Sequence, residues 1–378
     1  EPEESWEEAT QRLAPRSIWW HCKNMRRIHV PEVRRSFFVR TPLPDGDIDY
    51  RYAITAMHQA GYNGYILIEG AETGDQFYYA QRSLEYVRSV LAWLEGRGGW
   101  HGINWATEAM RAPVGLIDNP IRAERLRLTL DLTRGHAVLF GASGWGKTTF
   151  LRTVITSLAA THSPDELHVY ILDFGGRGLD VLEALPHRAA SILPSEEERV
   201  QRLLRRLESI LEERNRILSQ ARADSLSVYN ASHPDNILPA ILVVIDNFAE
   251  FKENYENLME SLIGIAREGR AYGVHLIVTA DQSNALPGKL YSLFTERLTL
   301  KLADKAEYAN IVGRGVPGID DIPGRGFVSV ERMPLEFQTA LPVGITEEEE
   351  AEGLDETAKL EQFAQLLASA WTGKRPEG

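Results

Sequence analysis

The chain has 378 residues, 43% hydrophobic and 25% charged, with a formal net charge of −13. Its length exceeds one average domain and its composition excludes a largely disordered chain, while the acidic balance argues against sequence-independent affinity for nucleic acid. The single cysteine, Cys22, excludes an intrachain disulfide and a cysteine-based zinc site, no apolar run approaches the ~20 residues of a membrane span, and no signal-peptide pattern opens the chain, so a reducing cytosol fits.

Residues 1 to about 96 are rich in aromatics and arginine. Ser17-Ile-Trp-Trp-His21-Cys-Lys-Asn24 and Gly64-Tyr-Ile-Leu-Ile-Glu69 predict strands ending in polar residues, with a helix from about Asp49 to Ala60 between them. The four glycines of Glu95-Gly-Arg-Gly-Gly-Trp100-His-Gly102 predict a flexible joint, and the expected domains are 1–96, 97–344 and 345–378.

Beyond the joint, short apolar runs alternate with helical patterns. Strands are predicted at Ala137–Phe140, Leu167–Leu172, Ile241–Ile245, Val274–Thr279 and Leu298–Leu302, and helices at Glu196–Leu218 and Tyr255–Arg270. Such alternation predicts an α/β domain whose mostly parallel sheet is flanked by helices. In the helix from Glu196, Val200, Leu203, Leu204, Leu207, Ile210, Leu211 and Leu218 form one stripe and the rest is charged, which predicts packing on the sheet with one face in water. The nearby Arg199, Arg202, Arg205 and Arg206 read as that solvated face.

Between the first of these strands and an amphipathic stretch, Thr149 to Ala159, the run Gly141, Ala142, Ser143, Gly144, Trp145, Gly146, Lys147, Thr148 fits G-x-x-x-x-G-K-[ST]. A strand-to-helix turn of this kind suits phosphate. The glycines let backbone N–H groups close on the β-phosphate, the helix N-terminus adds its dipole, Lys147 reaches the β- and γ-phosphates, and the Thr148 hydroxyl ligands Mg²⁺. Farther on, the fully apolar Ile241-Leu-Val-Val-Ile245 ends in Asp246, the acid expected to hold Mg²⁺ through water. ATP and Mg²⁺ are therefore the expected ligands.

After the sheet region, Thr346-Glu-Glu-Glu-Glu350 predicts a solvated linker, and Leu360, Phe363, Leu366, Leu367 and Trp371 recur at helical spacing. That stripe needs a surface to dock on, whether this domain or another. The start at Glu1 and this tail lead to the expectation that the chain is a piece of a longer protein.

From Ala112 to about Leu341 the chain resembles the FtsK/SpoIIIE family of RecA-like ATPases, and within it the EccC/EssC ATPases of type VII secretion. The residues that carry this resemblance are Pro113-Val-Gly-Leu-Ile-Asp118, Gly135-His136, Gly141 to Thr149, Tyr170-Ile-Leu-Asp-Phe-Gly-Gly176, Leu185-Pro-His187, Leu211-Glu-Glu-Arg214, Val244-Ile-Asp246, Gly269-Arg-Ala-Tyr-Gly-Val-His-Leu276 and Ile322-Pro-Gly-Arg-Gly326, in that order. The resemblance implies a module that binds or hydrolyses ATP at the cytoplasmic, inner face of a membrane secretion complex. Its implied partners are further ATPase modules or a homo-oligomeric ring, and secreted proteins of the WXG100 class; DNA ranks below these.

It also implies site roles. Asn247 stands where active members carry a glutamate that orients the attacking water, and an amide cannot accept a proton. Hydrolysis and an idle, nucleotide-bound docking role therefore both stay open, with Glu250 a weaker substitute for the missing acid. Family members need an arginine supplied across a module boundary, for which Arg270 and Arg325 are the candidates. Thr279 and Asp281 sit where a γ-phosphate sensor or a loop cap would be. Trp145, at a position usually small, is expected to point its indole away from the phosphates.

The first segment resembles the C-terminal part of the sugar isomerase/epimerase family of TIM barrels, through His21-Cys-Lys-Asn24, Pro44-Asp-Gly-Asp-Ile-Asp-Tyr50, Ala60-Gly-Tyr-Asn-Gly64 and Ile68-Glu69. This implies a partial (β/α) barrel-like segment with His21 and Glu69 as vestigial metal ligands. A cut fusion, a joining of two frames and a remnant reused as an interaction surface are the alternatives, and the first two are favoured.

Overall fold

The structure, a computed structural model, describes residues 5–30, 34–70, 75–94, 100, 102–345 and 353–377. The chain divides into a first unit, Glu1–His101 with Ala370–Thr372, and a second, Gly102–Ser369 with Gly373–Gly378. Of the expected glycine joint only Trp100 and Gly102 are among the described residues, and the run 346–350 lies outside them.

In the first unit the elements are α1 Trp6–Leu13, β1 Trp20–Cys22, β2 Asn24–Val30, β3 Arg35–Thr41, α2 Tyr50–Gln59, β4 Ile66–Ile68 and α3 Gln76–Leu94. Asp49 starts α2 as expected, its carboxylate accepting the N–H groups of Arg51 and Tyr52 at 2.9 and 3.3 Å. β1 and β4 pair in parallel, and Cys22, Leu43, Tyr50, Ile54, Val87 and Val90 pack a small core between strands and helices. The barrel resemblance is not borne out. After β1 the chain turns into the antiparallel hairpin β2–β3 rather than into a helix, and the described parallel strands of this unit are only β1 and β4, three residues each.

In the second unit the chain runs β5 Arg111–Asn119, β6 Glu124–Asp131, β7 His136–Phe140, α4 Lys147–Thr161, β8 Leu167–Asp173, β9 Arg188–Ile192, α5 Glu197–Ala221, α6 Leu226–Ser232 and β10 Ala240–Asp246. It continues α7 Phe248–Asn254, α8 Met259–Gly269, β11 Val274–Ala280, α9 Gly288–Tyr291, β12 Phe294–Leu300, α10 Glu307–Ile311, β13 Arg325–Val330, β14 Met333–Thr339 and α11 Glu356–Ala370. All the strands join one sheet in the order β6-β5-β14-β13-β12-β7-β11-β10-β8-β9. From β12 to β9 the pairs are parallel, and from β12 to β6 antiparallel. This is the mostly parallel, helix-flanked sheet that the alternation of the sequence predicts.

Every residue of β7, β10 and β11 is buried, because helices cover both faces of the parallel half. The stripe on α5 packs into that core as expected, with Val200 and Leu207 fully buried. Arg214, on the same helix, is buried too. Its guanidinium donates to the carbonyls of Tyr272 (2.6 Å) and Pro239 (2.5 Å), tying α5 to the starts of β11 and β10, and burial lowers its pKa to about 10. The tail stripe docks on its own domain: Leu360 and Leu367 on α11 are buried, Phe363 and Leu366 lie beside Pro342 and Val343, and Glu356 pairs with Arg152 at 3.7 Å. No helix among the described residues is long and apolar enough to cross a membrane.

Several buried histidines are held neutral. His136 donates through Nε2 to the Ala266 carbonyl (2.6 Å) and accepts the Leu276 N–H at Nδ1 (3.0 Å), so a second proton would break the latter bond. Burial lowers the pKa of His136 and His162 to about 4 and of His275 to about 3. With folded values below an unfolded value near 6.5, the unfolded chain binds more protons between those limits, so stability is complete above about pH 6.5 and falls as pH drops towards 4. Urea unfolding at pH 7.0 and 5.0 should show this loss, up to about 1.4 kcal/mol per pH unit for each such histidine, and His136→Phe should flatten the slope.

Candidate nucleotide-binding site

Since β7, β8, β10 and β11 are parallel, their C-terminal ends share one edge of the sheet, the edge where ligands bind in open α/β folds. The registers Ala280 with Phe140 and Asp246 with Asp173 bring the loop after β7 level with the acid ending β10. There Gly141 to Gly146 make the turn into α4, with Gly144 and Gly146 at φ of 81° and 99° that side chains rarely adopt. The turn is anchored at both ends. Gly141 N–H donates to Ala280 O (3.0 Å), Ala142 N–H to Lys301 O (2.8 Å), and Gly324 N–H to Trp145 O (3.0 Å).

Lys147 opens α4, and its ammonium donates to Gly141 O (2.7 Å), Ala142 O (3.2 Å) and the Asp281 carboxylate (2.6 Å). It therefore lies folded over the loop, with an aspartate from the end of β11 beside it. Next to it, Thr148 Oγ1 donates to Asp246 Oδ2 at 3.0 Å, and Thr279 Oγ1 donates to Asp246 Oδ1 at 2.5 Å. Asp246 is 2% exposed, so both oxygens depend on these hydroxyls. One hydroxyl and one carboxylate oxygen converging at a phosphate loop fit Mg²⁺, which takes few protein ligands and keeps water and phosphate oxygens. Among the described residues no group of three or more His, Cys, Asp or Glu gathers elsewhere to rival it.

Ser143 and Gly144 are exposed at the loop's tip, and Thr149 lies half-buried in the first turn of α4. Trp145 is half-buried, with the Lys301 ammonium 4.3 Å from its ring centre. Lys301 in turn pairs with Asp321. Asn247 adopts φ 63°, a left-handed conformation that asparagine tolerates better than most residues. Its N–H donates to Thr279 Oγ1 (2.9 Å) and its side-chain amide to Phe174 O (3.3 Å). Thr279 is thus the link between Asp246 and Asn247. Glu250 accepts from Asn254 on the surface of α7.

Neither candidate arginine is free at this chain's own phosphate loop. Arg270 precedes β11, so the length of that strand, about 20 Å, separates it from the phosphate edge. It donates to Arg134 O (3.3 Å) and lines a cavity of about 430 Å³ with Trp105, Asp131, Ser225 and His275. Arg270 therefore does not reach its own chain's phosphate loop. Arg325 follows Gly324 near the loop but is committed to Asp320 (2.9 Å) and Glu336 (3.3 Å).

The metal pair expected in the first unit is corrected as well. His21 is exposed beside Trp19, and Glu69 pairs with Arg40 (3.1 Å) and Lys23 (3.7 Å), cations that occupy a carboxylate rather than leave it for a metal.

Two contacts at the site were not legible in the sequence: the hydrogen bonds of Thr279 to Asp246 and Asn247, and the approach of the loop after β8 to Asp246. Asp173 accepts N–H groups from Gly175 (3.2 Å), Arg177 (3.2 Å) and Leu179 (2.9 Å), and its pKa is raised by burial and by the nearby Asp246. This capped loop lies against the site, since a methyl group on Gly175 would overlap the Asp246 carboxylate.

The FtsK/SpoIIIE family profile matches residues 102–318, more than half of the chain. The chain belongs to the FtsK/SpoIIIE family. Among relatives of this FtsK/SpoIIIE chain, the type VII secretion system protein EssC of Staphylococcus aureus (strain MRSA252) is 32% identical over 251 residues, covering 64% of this chain and 17% of the relative. The ESX secretion system protein EccC of Geobacillus thermodenitrificans (strain NG80-2) is 29% identical over 229 residues, 60% of this chain and 15% of the relative. The chain thus spans about a sixth of the length of these curated relatives. Among solved structures, ATPases 2 and 3 of Geobacillus thermodenitrificans EssC align with a TM-score of 0.63 at 27% identity, over 71% of this chain and 51% of that one. Thermomonospora curvata EccC (ATPases 2 and 3) in complex with a signal sequence peptide aligns with a TM-score of 0.63 at 29% identity, over 71% and 48%.

The crowding at Asp246 yields a test by stability. Gly175→Ala should cost about 1–3 kcal/mol in urea unfolding, because the added methyl displaces the loop or the carboxylate. Gly264→Ala, inside α8 where nothing lies within 4 Å of the added methyl, should instead be neutral or stabilising by up to about 1 kcal/mol.

Proposed function

We propose that this chain is an ATP-binding and slowly ATP-hydrolysing module of a type VII-like secretion coupling protein, working at the cytoplasmic face of a membrane complex beside further ATPase modules. The observation that carries this reading is the Lys147 ammonium folded onto the loop carbonyls of Gly141 and Ala142, followed in sequence by Thr148, whose hydroxyl donates to Asp246 at 3.0 Å. The kinship with EssC and EccC ATPase domains supports the secretion setting.

In this reading the N–H groups of residues 142–148 hold the β-phosphate, and Lys147 leaves its carbonyls for the β- and γ-phosphate oxygens. A Mg²⁺ ion, when bound, would supply charge neutralisation for the transfer, with Thr148 and Asp246 as the residues that would hold it. Thr279 fixes the Asp246 carboxylate. Asn247 lends the water a hydrogen-bonding amide without accepting its proton, which is why turnover is slow. The position of Arg270 on the far edge of the sheet supports its serving a neighbouring module rather than its own.

Calorimetric titration with Mg-ATPγS should show binding by the wild type that Lys147→Ala abolishes; unchanged binding by the variant would sink the nucleotide reading. Steady-state turnover of the wild type should fall at or below about 1 per second, the low end of the ordinary enzyme range.

A second reading, an idle nucleotide-bound module that docks secreted proteins of the WXG100 class, is favoured by Asn247. Intact binding with no turnover, alone or with neighbouring modules, decides for it. Nothing favours a DNA translocase: the relatives named above are secretion proteins and the net charge is −13.

A further inference from the structure

The loop after β8 presses on the metal side of the nucleotide site at two points. A Cβ on Gly175 would overlap the Asp246 carboxylate, and one on Gly178 would sit 2.6 Å from the Thr148 methyl. Only glycines at both places let this backbone approach the hydroxyl and the carboxylate so closely. The loop is also held from both sides. Asp173, 1% exposed, accepts three of its N–H groups, and Arg152 on α4 grips the Gly178 carbonyl through Nε (2.9 Å) and Nη2 (2.6 Å).

Between these two contact points stands Arg177, in a left-handed conformation at φ 63° that costs an arginine energy. Its backbone N–H is one of the three bound to Asp173, while its side chain is exposed. Among the described residues the guanidinium has no hydrogen bond or ion pair, and the nearby Glu196 is taken by Arg199 at 2.7 Å. A tightly braced loop thus holds a strained, uncommitted cation one residue from the Thr148 contact.

We propose that this loop is the metal-side wall of the phosphate pocket and that Arg177 contacts the γ-phosphate of bound ATP, with Asp173 as its positioning residue. The inference rests on the nucleotide reading above and adds a cation from the chain's own sheet edge, where Arg270 and Arg325 do not serve. An arginine there distinguishes ATP from ADP, because the phosphate it pairs with is the one that leaves.

Calorimetric titration of the whole chain with Mg-ATPγS and Mg-ADP tests it. Arg177→Ala, on an exposed side chain, should weaken Mg-ATPγS about tenfold or more and leave Mg-ADP within about twofold, with partial rescue by Arg177→Lys. Asp173→Asn should shift the ATPγS-to-ADP ratio the same way and speed tryptic cleavage after Arg177. Wild-type protein that binds Mg-ATPγS, loses it in Lys147→Ala and keeps the same ratio in Arg177→Ala overturns the role of Arg177 alone. Wild-type protein that binds neither nucleotide overturns both readings.

Discussion

The site depends on one buried carboxylate shared between two hydroxyls. Asp246 is 2% exposed, and its oxygens accept separately from Thr148 at 3.0 Å and Thr279 at 2.5 Å. A carboxylate left unpaired at that depth would cost several kcal/mol, so the two hydroxyls and the acid form one unit. Thr148 belongs to the phosphate loop helix, Thr279 to the strand between β7 and β10, and Asp246 to β10. The hydrogen bonds thereby fix the loop against strands on its far side, and the glycine approach at Gly175 closes the remaining flank.

This arrangement gives Asn247 a reason independent of catalysis. The chain turns from β10 into α7 at a left-handed residue, and asparagine takes that conformation at less cost than glutamate. Its side chain then bridges to Phe174 O, joining β10 to the loop after β8. The side chain that leaves the turn without a general base thus also has a structural role there.

The sequence was most informative where burial on both faces leaves few polar residues in a strand. β7, β8, β10 and β11 stand out as apolar runs because helices cover both sheet faces, and the phosphate loop and Asp246 follow from their flanks. β12, Phe294–Leu300, starts before the expected Leu298–Leu302, since Thr295, Glu296 and Arg297 interrupt its pattern around a shift in register. Strands β5, β6, β13 and β14 escaped because one-sided antiparallel strands mix polar and apolar residues. At the site, Arg270 looked close in sequence to Thr279, yet the intervening strand carries it to the opposite edge. The loop at Gly175 and Gly178 meets Thr148 and Asp246 across dozens of residues, and no local pattern encodes such a meeting.

That opposite edge has its own logic. The residues gathered at the N-terminal ends of the parallel strands, His136, His162, His187, His275 and Arg214, are buried, and several of them satisfy backbone carbonyls. Burial keeps the histidines neutral, so they act there as fixed donors and acceptors rather than as charges. Phosphate chemistry needs the reverse: exposed N–H groups, a metal and cations that can reach an anion. The sheet separates these requirements by a strand's length, with neutral histidines and the carbonyl-bound Arg214 at one edge and the phosphate loop, Lys147 and Asp246 at the other. An arginine belonging to the first edge cannot act on its own chain's phosphate without unravelling β11, so whichever cation serves in cis must come from the loops that leave the strands' C-terminal ends.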